Sequence, residues 1–132
     1  MIKCLLIVNI VHSFNHKKKY ADAQEFCETA AMNGFATGRL FEPKTKYFSD
    51  KVYAESIVVL GGSNEAWIGI NAKGGPWVYT NSGTELEFQN WLPGQPNNNA
   101  HDCVNWCDDG YPAGVWADYT CNEQRFFICE FV

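Results

Sequence analysis

Six cysteines and three histidines are the residues of this chain whose chemistry is least ordinary. Thiols at this density either bind zinc or form disulfides. Zinc sites usually carry paired Cys-x-x-Cys motifs or histidines close by. Here Cys103 and Cys107 are the only close pair, four apart, and His12, His16 and His101 are scattered. The cysteines Cys4, Cys27, Cys103, Cys107, Cys121 and Cys129 therefore read as a disulfide framework made in an oxidising, extracellular compartment. Asp102, Asp108 and Asp109 form an acidic stretch that reads as a solvated loop and could also supply oxygens to a cation. Tyr111 and Tyr119 are the rings expected at the surface, where an apolar sugar face could stack. No histidine has a partnering Ser or Cys motif, and no phosphate-binding glycine loop follows a strand. The chain is not expected to be an enzyme.

The elements that must position these groups change character midway. Tyr20, Ala23, Cys27, Ala30 and Ala31 recur at spacings of three and four, predicting an amphipathic helix from Lys18 to Ala31, with Gly34 as its stop. Val52, Tyr53, Ile57 and Leu60 repeat the pattern from Ser49, an apt N-cap, to Gly61-Gly62, with Pro43 turning the chain beforehand. Strand signals follow at Ala66–Ile70, Trp77–Tyr79, Cys103–Trp106, Val115–Asp118 and Arg125–Phe131. The opening Met1–Val8 has one lysine and a short apolar run. It continues through Ile10 and Val11 and reads as a strand rather than a leader. Helices first and strands later make the chain α+β. Between strand signals lies a polar stretch, Thr80 to Asp102, with two prolines, two glycines and five asparagines. Structureless loops of that length in a compact domain usually carry function.

At 132 residues the chain is expected to form one domain, residues 1–132, with 46% hydrophobic residues to fill its core. Aromatics reach 15%, which suits sheets and binding surfaces, and most of the five tryptophans are expected in the core. A net charge of −5 argues against nucleic acid and anionic membranes as partners. No run approaches the ~18 apolar residues a membrane span needs.

In order and spacing these elements resemble the C-type lectin-like domain. Tyr20-Ala21-Asp22-Ala23 with Cys27 is similar to its first helix, with Tyr20 where the family usually has Trp. Gly38-Arg39-Leu40 and Glu42-Pro43 resemble the strand leading to its second helix. Trp67-Ile68-Gly69-Ile70 is similar to its Trp-Ile-Gly-Leu motif, and Trp91 to Asn97 resembles its long-loop signature. Phe127-Ile128-Cys129-Glu130 resembles its closing strand. The resemblance runs from about Leu5 to Val132. It implies two helices packed on small antiparallel sheets, a long irregular loop, and disulfides Cys27–Cys129 and Cys103–Cys121. Cys4 and Cys107 remain. A bridge between them is favoured over free thiols or an intermolecular link.

The resemblance also implies a calcium ion on the long loop that bonds a sugar's vicinal hydroxyls. Carried over by position, Gln95, Asn97 and Asp118 match the family's ligands. His101 stands where the family has Glu, and Ala117 where it has Asn. Calcium takes six to eight oxygens, several of them anionic, whereas imidazole suits zinc or copper. Calcium is therefore expected to bind weakly or not at all, with Gln95, Asn97, Asp102 and Asp118 its best ligands. His101 itself reads as a loop-surface histidine. Gln95-Pro96-Asn97 is a hybrid of the mannose-type Glu-Pro-Asn and the galactose-type Gln-Pro-Asp, and Pro96 resembles the family's cis proline. The expected function is a secreted domain binding a glycan or glycoprotein through Gln95, Asn97, Trp116, Asp118 and Tyr119. Calcium-independent protein recognition by the same loop is the alternative, and ice or mineral binding a more distant one. An unpaired Cys4 or Cys107 would permit a homodimer.

Overall fold

The computed structural model describes residues 10–30, 37–59, 65–98, 100–107 and 114–131. Cys4, Gly34, Leu60, Gly61-Gly62, Asp108, Asp109 and Tyr111 lie outside them, and with Cys4 the expected Cys4–Cys107 pairing.

The chain enters through β1 (Ile10–Lys18), which runs antiparallel to the last strand, β7 (Arg125–Phe131). Helix α1 (Tyr20–Thr29) follows, starting two residues later than its periodicity suggests. The reason is competition: Lys18 is still paired with Arg125 in the sheet. Lys19, at the N-cap, makes no side-chain cap, and the Tyr20 amide donates instead to the Cys121 carbonyl at 3.1 Å. Tyr20, Ala23 and Cys27 form the buried stripe.

After β2 (Gly38–Leu40) comes α2 (Lys46–Val59), which begins a turn before the expected Ser49. The hydroxyl of Thr45 accepts the Phe48 amide at 3.1 Å, the bond an N-cap side chain makes to the third helical residue. Ser49 is instead fully buried within the helix.

The remaining strands are β3 (Ala66–Asn71), β4 (Val78–Tyr79), β5 (Cys103–Cys107) and β6 (Val115–Tyr119). The resemblance implies small antiparallel sheets; the strands join into one mixed sheet ordered β1-β7-β3-β5-β6, with β2 on β7 and β4 on β3. One pairing is parallel, β3 beside β7. Fold class and elements are those of an α+β chain. No described helix is long and apolar enough to cross a membrane.

Two cores flank the sheet. Phe41, Ile68, Ile70, Trp106, Trp116 and Ile128 anchor one. Tyr20, Trp67, Phe127 and Phe131 build the other around the Cys27–Cys129 disulfide. Each fully buried large side chain contributes roughly 1.5–3 kcal/mol. A second disulfide, Cys103–Cys121, joins the start of β5 to the turn after β6. That bridge sits at the base of the loop spanning residues 80–102.

Candidate functional site: the long loop

The loop is held by three layers of contact. At its root the Trp116 backbone donates to the Asn90 carbonyl and accepts from the Leu92 amide, both at 2.8 Å. The Asn90 side chain adds a bond to the Gly114 carbonyl at 2.9 Å. The Gln95 amide then closes a turn on the Leu92 carbonyl, with Gly94 at φ 89°, a conformation other residues rarely adopt. The Gln95–Pro96 peptide bond is cis.

At the tip, Asp118 on β6 acts as a clamp. Its Oδ1 accepts the Asn97 amide at 3.0 Å and its Oδ2 accepts the Asn98 amide at 3.2 Å. Hydrogen bonds to an ionised acceptor are the stronger kind, so this carboxylate orders the loop. The Asn98 side chain caps the next turn by accepting the Ala100 amide at 2.9 Å.

Beside the clamp lies a depression of about 260 Å³ lined by Leu92, Gln95, Asn97, His101, Asp118 and Tyr119, with Ala117 at its floor. Two polar atoms there are buried without hydrogen-bond partners, Gln95 Oε1 and His101 Nδ1. Asp118 Oδ2 lies 3.6 Å from His101 Nδ1, too far for a hydrogen bond. Leaving such groups unmatched typically costs 1–3 kcal/mol each.

Several expected site residues take other roles. Trp116 is 0% exposed, and its ring packs edge-on against Phe88 and Trp91. It cannot stack on a sugar, because its place on the inner face of β6 makes it the foundation of the loop. The Tyr119 ring has the Arg125 guanidinium 4.7 Å over it and the His101 ring parallel at 6.1 Å, so its stacking surface is already shared. Asp102 lines a neighbouring depression of about 280 Å³ with Ala72, Gly75, Trp77 and Pro96. Gln95 and Asp118 line the first depression and Asp102 the second, with Asn97 and His101 bordering both.

The donors present do not make a calcium shell. Gln95 and Asn97 offer amide oxygens, Ala117 offers no side-chain oxygen, and the one carboxylate already serves two backbone amides. An imidazole fills the position of a further carboxylate. Among the described residues no three His, Cys, Asp or Glu side chains are grouped to hold a metal.

His101 was read as a surface histidine, yet its side chain is only 29% exposed and it borders both depressions. The clue was positional: it stands at a ligand position of the resembled family. Of the five tryptophans, Trp67, Trp106 and Trp116 are buried, while Trp77 and Trp91 are half-buried with ring centroids 5.0 Å apart.

Comparison with known proteins agrees with this geometry. The family model described as "Lectin C-type domain" matches residues 16–131. Collectin-43 of Bos taurus is 33% identical over 117 residues, covering 86% of this chain and 33% of that protein. Pulmonary surfactant-associated protein D of Sus scrofa is 31% identical, covering 87% of this chain and 29% of that protein. The chain thus spans about a third of the length of these curated relatives. The carbohydrate-recognition domain of the mouse scavenger receptor C-type lectin superposes with a TM-score of 0.77 at 23% identity, covering 96% of this chain and 91% of that one. The C-type lectin CEL-I from Cucumaria echinata superposes at 0.80 with 20% identity, covering 94% and 90%. These structures share the fold. From sequence and fold together, the chain belongs to the C-type lectin domain family, a non-enzymatic binding domain.

Proposed function

We propose that this chain is a secreted carbohydrate-binding domain that holds sugar hydroxyls in the Gln95–His101–Asp118 depression, with calcium contributing weakly or not at all. The observation that carries the reading is the depression itself, where Gln95, Asn97, His101 and Asp118 line one hollow beside Leu92 and Tyr119. The amide groups of Gln95 and Asn97 and the imidazole of His101 are the polar groups on this lining that suit sugar hydroxyls. The clamp at Asp118 holds the loop backbone at Asn97 and Asn98 before the ligand arrives, which lowers the ordering cost of binding. Family membership supports the ligand class, and the two disulfides support an oxidising compartment. A single shallow sugar site binds weakly, so avidity through a homodimer fits this reading.

The test is a glycan array run with calcium and again with EDTA. Binding that survives EDTA is expected. Binding abolished by EDTA would show that calcium carries recognition despite the donor set. Protein recognition by the same loop is a second reading, favoured by the commitment of the Asp118 carboxylate to loop amides. An array without any hit would put it first.

A further inference from the structure

The long-loop depression is not isolated. Asn97 and His101 line it together with the adjoining one of about 280 Å³, which Trp77 also lines. Trp77 also forms the near wall of a third depression, about 370 Å³, lined by Pro76, Glu85, Leu86 and Gln89. Three hollows therefore run in series from Asp118 past Trp77 to Glu85. Each is near or below the lower end of small-ligand sites, roughly 300–1,000 Å³, whereas the series suits a larger ligand.

The chemistry along this track is that of a sugar chain. Trp77 is half-buried and lines the second and third hollows. Its contact with Trp91, tilted at 64°, braces it against the core. Trp91 Nε1 donates to Gln89 Oε1 at 2.9 Å, which fixes that amide and leaves its NH₂ group as the donor to a hydroxyl. Glu85 is exposed and offers acceptors. Apolar rings with a few fixed polar groups beside them match alternating C–H faces and hydroxyls.

We propose that Trp77, Glu85 and Gln89 form an extension site for further sugar units of a neutral oligosaccharide whose terminal unit occupies the Gln95–His101 depression. The inference rests on the sugar-binding reading above. It makes this domain a reader of glycan length, with Trp77 as the divider between units.

The experiment is calorimetry on the intact protein with two ladders: mannose, mannotriose and mannopentaose, then galactose, galactobiose and galactotriose. Affinity for at least one ladder is expected to rise roughly tenfold from monosaccharide to the longest member. Glu85→Ala with Gln89→Ala, both exposed, should flatten the rise and leave monosaccharide affinity unchanged. Trp77→Phe should reduce it partway. A ladder bound with equal affinity at every length overturns the extension and leaves the first site standing. A length dependence untouched by the Glu85/Gln89 double variant overturns it too. No binding of any sugar overturns both readings.

Discussion

At the scale of single residues, two positions bear on calcium binding. His101 and Ala117 replace oxygen donors with an imidazole and a methyl group, and the one carboxylate nearby is spent on amides. His101→Glu with Ala117→Asn would add an anionic and an amide oxygen beside Gln95, Asn97 and Asp118. The double variant is expected to gain saturable calcium binding at least tenfold stronger than the parent. Calorimetric titration in parallel would read this, and equal affinities would refute it. A different residue governs pH dependence. Burial raises the carboxyl pKa of Glu42 above its ordinary value of 4.5, and the Asn81 amide, Arg39 and Lys44 only partly oppose this. The folded state therefore takes up this proton more readily than the unfolded chain. Its contribution to stability falls as pH rises from about 4.5 through the raised value. Glu42→Gln removes the titration. The variant's stability relative to the parent should increase between pH 4 and pH 7, as read by urea midpoints. A constant difference would show that Glu42 titrates normally.

At the scale of elements, local signals and tertiary demands meet at the helix ends. Both Ser49 and Thr45 can cap a helix, and propensity does not separate them. Position does: Ser49 is drawn into the interior against β6's approach, where a Cβ on Gly114 would lie 3.6 Å from its Oγ, while Thr45 stays at the surface. Thr45→Ala should cost about 1 kcal/mol of unfolding free energy. Ser49→Ala should not weaken the helix start, since its hydroxyl caps nothing. Chemical denaturation of both variants checks the assignment. Among the strands, Gly69 shows why the Trp-Ile-Gly motif carries a glycine: a Cβ there would lie 2.6 Å from the Leu40 carbonyl. The close approach lets the Gly69 amide donate to Phe41 at the sheet's junction with β2.

For the whole molecule, the Cys27–Cys129 bridge closes a span of 102 residues and ties α1 to β7, which lies between β1 and β3 in the sheet. Closing a loop of about 100 residues is worth roughly 4.7 kcal/mol in the chain-entropy account. Replacing both cysteines with serine should remove most of that, a large part of the usual 5–15 kcal/mol for a domain. Thermal melts of the variant and the parent would show it, and an unchanged midpoint would contradict it. The shorter Cys103–Cys121 bridge, 18 residues apart, stabilises less but guards the loop's base. A non-reducing gel compared with a reducing one reports whether a further cysteine links two copies.

Much of this was legible in the linear chain because the signals are local. Periodicity marked both helices, alternation and β-branching marked the strands, and cysteine number marked an oxidised framework. The motif order from Tyr20 to Cys129 carried the family. What the chain could not express is which side of an element faces the core. Trp116 and Tyr119 lie three apart on one strand, and only the sheet's register buries the first and places the second beside Arg125. Residue type places most tryptophans in the core without saying which; Trp67, Trp106 and Trp116 are buried, and Trp77 and Trp91 stay half-buried. Asp118 reads as a ligand, and folding brings the Asn97 and Asn98 amides, about twenty residues away, onto its carboxylate. Local propensity sets the elements; long-range hydrogen bonds and burial decide which atoms remain for a ligand.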